Sequence, residues 1–226
     1  VIPGLAATTT PTADYNHEVA TAWFNLQLRL VKETPGFSPP VASRAFGYTG
    51  VALYEAVVAG MSDYQSLVGQ LNELAEMPQP ETDLEYHLPT VANSALATIT
   101  RQLFPTASDD NQAALNTLYD EFAQMYSPDL DTDVFSRSVS YGQDVANAVF
   151  AWSMADGGHE GYLTNFPADY LPPEGDGLWA PTPRLSGDLQ PAMQPYWGNN
   201  RTFLPSSVET CAASAPPVYS EDPDSA

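Results

Sequence analysis

From residue 14 to residue 158 apolar side chains recur at spacings of three and four, the repeat of one helix face. Over residues 14–32 the recurring positions are Val19, Trp23, Leu26 and Leu30, and Pro35-Gly36 closes the run. Ser38 then Pro39 reads as a helix start, because the N–H that proline lacks would have no intrahelical partner there. The second helix covers residues 41–59 with Phe46, Val51, Leu53, Tyr54, Val57 and Val58, and its Gly47 and Gly50 predict close packing. Residues 64–76 predict a shorter third helix, followed by a proline-bearing connection at 77–82. A fourth covers 87–104, with Val91, Leu96, Ile99 and Leu103 facing a core, and stops before Pro105. Ser108-Asp109-Asp110 caps a fifth that runs through Leu115, Leu118, Phe122 and Met125 to Pro128. The sixth and longest, residues 132–154, sets Val134, Val145, Val149 and Trp152 among small residues and ends at Gly157-Gly158.

Six amphipathic helices with short connections predict an all-α fold: a helical bundle of about six helices followed by a long irregular arm rich in Pro, Gly and aromatics. The expected boundaries are an extended N-terminal segment at 1–13, the bundle at 14–158 and a packing arm at 159–226. Proline and glycine punctuate the arm too often for a normal helix, yet it carries Tyr162, Phe166, Tyr170, Trp179, Tyr196, Trp197 and Phe203, anchors that a disordered linker lacks. Trp23, Phe46, Leu53, Tyr54, Leu96, Leu118 and Trp152 are expected to share one core. Arg44 and Glu55, if buried, each need a partner of their own and are expected to be structural.

Charge narrows the function. Twenty-eight acidic against seven basic residues give a formal charge of −21, which opposes binding to nucleic acid or to an anionic membrane surface. No apolar run reaches the roughly 20 residues of a membrane span, and residues 1–7 are too short for an intact signal peptide. Surface acidity of this kind suits an extracellular or periplasmic setting, or serves solubility alone. The single cysteine, Cys211, excludes an internal disulfide but leaves pairing with another chain open.

Few residues suggest chemistry. Asp129, Asp131 and Asp133 repeat the alternating carboxylates that open an EF-hand calcium loop, but Val134 stands where glycine is needed and Ser140 where a bidentate glutamate belongs. An acidic helix start, favoured by the helix dipole, explains them better. His17, His87 and His159 form no metal-binding spacing, and His159, after two glycines, is a candidate general base or a surface residue. No serine-nucleophile elbow and no phosphate-binding glycine loop occurs, and Asn200-Arg201-Thr202 is one glycosylation sequon.

The second helix, with Arg44 and the Tyr54-Glu55 pair, resembles the early helix of the vanadium-dependent haloperoxidase-like branch of the type 2 phosphatidic acid phosphatase superfamily. Trp23, Ser140-Tyr141-Gly142-Gln143-Asp144, Trp152 and Asp156-Gly157 extend the resemblance. In the arm it continues through Tyr170-Leu171-Pro172-Pro173, Gly177-Leu178-Trp179, Pro195-Tyr196-Trp197-Gly198, Arg201-Thr202-Phe203 and Pro216-Pro217-Val218-Tyr219.

The resemblance implies a two-part helical fold that holds vanadate or phosphate in its second part, through a lysine with an Arg-Pro motif, a Pro-Ser-Gly-His loop and a late histidine. This chain departs from that pattern. Lys32 has no Arg-Pro seven residues on, Gly157-Gly158-His159 lacks the Pro-Ser, and Ser136-Arg137 is followed by Gln143 where the histidine belongs. No catalytic or cofactor-binding residue is therefore assigned. The expected function is the N-terminal scaffold half of a haloperoxidase-like protein oxidising halide with peroxide, whose vanadate and catalytic residues lie beyond residues 220–226. A C-terminal half or companion chain, tied through Cys211, is the expected partner, and oligomers are compatible. A non-catalytic secreted scaffold or binding protein of the same fold and an acid-phosphatase-type hydrolase are the alternatives.

Overall fold

The computed structural model describes residues 9–215 and 217–224, so expectations for residues 1–8, 216 and 225–226 lie outside the described residues. Five long helices carry the fold: α1 (Glu18–Glu33), α2 (Pro39–Val57), α3 (Leu88–Leu103), α4 (Asp109–Tyr126) and α5 (Thr132–Met154). A four-residue α6 (Ser207–Thr210) lies in the arm, and no strand occurs among the described residues. α3 is the axis of the bundle. It packs on all four other long helices and most extensively on α5. A helix in that position must be apolar nearly all round, and Val91, Ala95, Leu96, Ala97 and Ile99 are fully buried.

The caps follow the sequence. Ser108 accepts a hydrogen bond from the Asn111 N–H at 3.4 Å, and Asp131 accepts from the Asp133 N–H at 2.8 Å, each satisfying a first-turn amide. Pro39 begins α2 behind Ser38. Buried polar side chains then fix how the helices meet. Trp23 Nε1 donates to Asn93 Oδ1 at 2.8 Å, and Asn93 Nδ2 donates to the Tyr119 carbonyl at 3.1 Å, which ties α1 to α3 and α4. Gln27 Nε2 donates to Thr49 and Thr100 hydroxyls, both at 2.8 Å, tying α1 to α2 and α3. Each such bond contributes about 1 kcal/mol net, but leaving its partner buried and unpaired costs more, so these bonds select one arrangement of the helices.

Two expectations for α2 are corrected. Trp23, Leu96 and Trp152 are buried, whereas Phe46, Leu53, Tyr54 and Leu118 are half-buried at the margin, and Met125 is exposed. The inward face of α2 keeps the expected Val51 and is otherwise Val41, Ala45, Tyr48, Ala52 and Ala56, mostly small residues around one aromatic ring. A periodicity search weighted toward large side chains overlooks such a face. Of the two glycines, Gly47 lies against the Phe203 ring, and an added Cβ would stand 2.9 Å from its tip; Gly50 faces open space.

The third helix is absent. Residues 64–76 form successive turns, with positive φ at Gly69 and Glu73. An isolated helix of that length is marginal, and the half-buried Glu55 neighbourhood offers its amides a better acceptor. The buried Glu55 carboxylate accepts from the Leu67 N–H at 2.6 Å and the Ser66 hydroxyl at 2.9 Å, while the Tyr54 hydroxyl donates to the Gln65 carbonyl at 2.7 Å. Replacing Glu55 by alanine is expected to cost about 1–2 kcal/mol, because a half-buried N–H and hydroxyl lose their partner. It is also expected to open residues 61–74 to limited proteolysis; a thermal melt and digestion pattern like those of the wild type would refute this anchoring role.

The arm touches the bundle in two stretches. Residues 159–166 dock on the α1–α2 connection, where Gly36 (φ +88°) lies against the Tyr162 carbonyl and Asn165 Nδ2 donates to the Gly36 carbonyl at 2.7 Å. Residues 194–203 return to the end of α5. Between and beyond them the chain is mostly exposed, Trp179 included, and even within the two stretches Phe166 and Tyr196 are exposed; none of the seven expected anchors is fully buried, and Tyr162, Tyr170, Trp197 and Phe203 are half-buried.

Candidate functional site

α5 ends because Gly157 adopts φ +88°, which turns the chain and swings Asp156 under α2. Arg44, from the second turn of α2, meets it with two parallel bonds: Nε to Oδ2 at 2.7 Å and Nη2 to Oδ1 at 3.1 Å. Nη2 also donates to the Ser153 carbonyl at 2.6 Å. The Tyr48 hydroxyl donates to Asp156 Oδ2 at 2.8 Å, and the Gly158 N–H to Oδ1 at 2.7 Å. Burial, followed by the neighbouring Asp156 charge and the bond to it, pushes the Tyr48 hydroxyl well above the usual phenol range, so it stays a donor.

The returning arm completes this clasp. Arg201 N–H donates to the Asp156 carbonyl at 2.8 Å, and Arg201 Nη2 to the Trp152 carbonyl at 2.8 Å. Its guanidinium carbon stands 4.7 Å from the centre of the Trp152 ring, and Nη1 pairs with Glu73 at 3.0 Å. Phe203 packs on Tyr48 and Trp152 with ring centres 5.0 and 5.6 Å away. Asn200, in the sequon, lies against Gly157 and Gly158. Arg44, Trp152, Asp156-Gly157 and Arg201-Thr202-Phe203, four separated stretches of the resemblance, therefore meet at one point.

Beside the clasp is a cavity of about 300 Å³ between the start of α2, the end of α3 and the turn after α5. Its walls are mainly apolar, with Phe37, Val41, Leu103, Phe150 and Tyr162 contributing. Arg44 and Gln102 also line it. Gln102 Nε2 donates to Asn147 Oδ1 at 2.8 Å, which leaves Gln102 Oε1 buried without a partner. His159 sits at the wall with its ring edge-on to Phe150, 5.8 Å between centres, and its nitrogens make no hydrogen bond among the described residues. Glu160 beside it holds φ +54°, the left-handed region that non-glycine residues rarely enter.

The other sequence candidates lie elsewhere. Asp131 caps α5, Asp129 ends the short turn before it, and no group of three or more His, Cys, Asp or Glu side chains converges as a metal site among the described residues. His17 pairs with the Thr21 hydroxyl on the surface, and His87 lies between the rings of Tyr15 and Tyr126, where burial pulls its pKa down. Arg137 donates to the Glu85 carbonyl, and Cys211 is free and exposed after α6. Gln102 carried no signal in the sequence, since a glutamine on a helix ordinarily faces water. The bond between Arg44 and Asp156 spans 112 residues and was equally silent.

These residues do not fit a vanadate or phosphate ion. An oxyanion needs a convergent set of donors, whereas Arg44 is committed to Asp156 and Arg201 to Glu73 and two backbone or hydroxyl oxygens.

The sequence matches no protein-family model and no curated protein. Among solved structures it is similar to the crystal structure of "the first bacterial vanadium dependant iodoperoxidase", with 30% identity and a TM-score of 0.74. The match covers 92% of this chain and 48% of that one, so the chain spans about half the length of the protein it resembles. A five-helix bundle strapped at one end by its own returning arm, with the strap's residues shared between distant stretches, is the class of fold defined here. Its likeness is to the vanadium-dependent haloperoxidases, over nearly all of this chain. No helix among the described residues is long and apolar enough to cross a membrane.

Proposed function

We propose that this chain is the N-terminal, scaffold-forming half of a vanadium-dependent haloperoxidase-like protein, whose catalytic groups and vanadate lie in the other half. The observation that carries the reading is the unequal coverage: nearly all of this chain aligns, at 30% identity, with about half of an iodoperoxidase. The net reaction is the two-electron oxidation of halide, in which peroxide, halide and a proton give hypohalous acid and water. The role of this chain is to hold the second half in place.

Its exposed apolar side chains support that role. Among the described residues most of the large ones fall between Leu163 and Tyr219, including Phe166, Leu171, Leu178, Trp179 and Leu189. A run of this kind is a surface for burial against a partner, here the remaining half, with the exposed Cys211 available for a link. Its proline-rich backbone lowers the entropy lost on docking. The excess of carboxylates suits secretion into an extracellular or periplasmic space.

The test compares the full-length natural product with the 226-residue chain, each incubated with orthovanadate, hydrogen peroxide and iodide, bromide or chloride. Vanadate-dependent halide oxidation is expected from the full-length protein and none from this chain alone. Activity of the chain alone would overturn the division of labour. A full-length protein without activity on any halide would overturn the haloperoxidase reading, and hydrolysis of a phosphate monoester by the same sample would then separate a phosphatase-type hydrolase from a non-catalytic scaffold.

A further inference from the structure

We infer that the outer face of α1 is a self-association surface, on which a second copy of this chain packs its own α1 antiparallel across a two-fold axis at Asn25. The surface is independent of the halide chemistry proposed above. Each copy carries a formal charge of −21, so two copies repel unless they meet where carboxylates are balanced. The outer helices differ in this respect. α4 carries Asp109, Asp110, Asp120 and Glu121 with no basic residue. α5 carries Asp133 and Asp144 against Arg137, which is turned to the Glu85 carbonyl. α1 carries Glu18 and Glu33 against Arg29 and Lys32, the single lysine of the chain.

The placement of those charges selects a second copy as the partner. Glu18, Asn25, Leu28 and Lys32 are all exposed. Glu18 and Lys32 are two heptads apart on α1, which puts them on one face, within about 40° of each other and about 21 Å apart along the axis. Neither has an ion-pair partner among the described residues. Asn25 lies midway between them. Turning a second α1 end over end about Asn25 therefore sets each Glu18 against the Lys32 of the other copy, twice over. An isologous contact requires a patch that contains its own complement, whereas a partner of unrelated sequence requires no such symmetry. Leu28, 59% exposed, lies between the paired charges, one turn from Phe24. Phe24 in turn stacks on Phe46 of α2 with centres 6.4 Å apart, both rings half-buried and outside the core. These side chains supply the apolar centre that a charged rim surrounds.

An acidic residue at the start of a helix and a basic one at its end also suit the helix dipole. That accounts for the two signs, but not for their sharing one outward face with an exposed leucine between them. The remaining half of the protein is the other candidate occupant. It already has a surface of its own in the exposed apolar side chains from Leu163 to Tyr219.

The experiment measures the full-length natural product by sedimentation equilibrium. A reversible dimer is expected, with a dissociation constant on the order of micromolar, the strength of a small contact. Glu18→Lys and Lys32→Glu, made singly, set like charges against each other at both ends of the contact, and each is expected to weaken the dimer at least about tenfold. The two changes together are expected to restore it to within about threefold of wild type. Both reversals oppose the helix dipole, so recovery in the double variant reports pairing across the interface and not the stability of α1. Asn25→Cys, at the axis, is expected to give on mild oxidation a dimer linked through the two introduced thiols, mapped by peptide mass. Circular dichroism checks each fold, and should a charge reversal unfold α1, the Asn25→Cys link decides. A protein that stays monomeric at about a hundred times the expected constant would overturn the assignment. So would a dimer indifferent to the single reversals, a double variant as weak as either single one, or no Asn25→Cys link because the remaining half covers α1.

Discussion

Replacing Asp156 by alanine is expected to cost about 3–5 kcal/mol, the penalty for stranding one member of a buried ion pair. For a chain of this size that is on the order of 10 °C in melting temperature. The argument rests on what remains behind. The Arg44 side chain is only 9% exposed and would keep its charge without a counter-charge, while the Tyr48 hydroxyl and the Gly158 N–H would lose their acceptor. The double change Arg44→Met with Asp156→Leu is expected to be milder than Asp156→Ala, because apolar replacement of a buried pair removes the desolvation cost along with the attraction. Thermal denaturation by circular dichroism measures all three. Hydrogen exchange supplies the second readout: amides of residues 197–203 are expected to lose protection in Asp156→Ala, since the arm docks on the turn that Asp156 organises. A melting temperature within about 2 °C of wild type, with the arm still protected, would show that the pair contributes little.

That clasp also explains what the sequence made legible and what it did not. Helical period, proline starts and glycine stops are local signals, and α1, α3, α4 and α5 follow them closely. The residues around 64–76 carried a similar local signal, but the outcome there was decided by Glu55, whose carboxylate takes the amide of Leu67 across twelve residues of sequence. The inward face of α2 was hidden for another reason: alanines make a helix face that buries well against α3 and α5 but has little contrast in a hydrophobicity pattern.

Residues of the site were visible only as fragments of a resemblance. Arg44 and Asp156-Gly157 were singled out together with Arg201-Thr202-Phe203, without any sign that they meet. Their meeting gives those fragments a physical reason: a bidentate ion pair, a phenol, a stacked guanidinium and a phenyl ring close one end of the bundle. Arg44 pairs with Asp156 and Glu55 with Ser66 and Leu67, which agrees with the expectation that each would have its own partner. The cavity was not legible at all, because its polar atoms come from Gln102 and Arg44, on two helices that the sequence does not connect.

Two glycines that look alike in the sequence are expected to respond with opposite sign. Gly142, in the middle of α5, sits where that helix crosses α3, and a Cβ added there would run into the Val91 carbonyl oxygen, with Ser94 Cβ at 2.9 Å and Ala95 N at 3.0 Å. These are backbone and near-backbone atoms of a helix buried on every side, so the only relief is to move α5 away from α3. That motion would loosen the contacts of the fully buried Val145 and Val149 and strain the bond from the Ser94 hydroxyl to the Val139 carbonyl, 2.7 Å. Overpacking of this kind costs about 3 kcal/mol, and the better helix propensity of alanine returns only about 1 kcal/mol. Gly142→Ala is therefore expected to be destabilising by about 2 kcal/mol, and Gly142→Val by more. Gly50, inside α2, has nothing within 4 Å of the same added atom, so Gly50→Ala keeps the propensity gain and is expected to stabilise by up to about 1 kcal/mol. Chemical denaturation of the three variants beside the wild type measures both signs. A Gly142→Ala protein as stable as Gly50→Ala would mean that α3 and α5 do not cross as closely as described, and the central contact of the bundle would have to be redrawn.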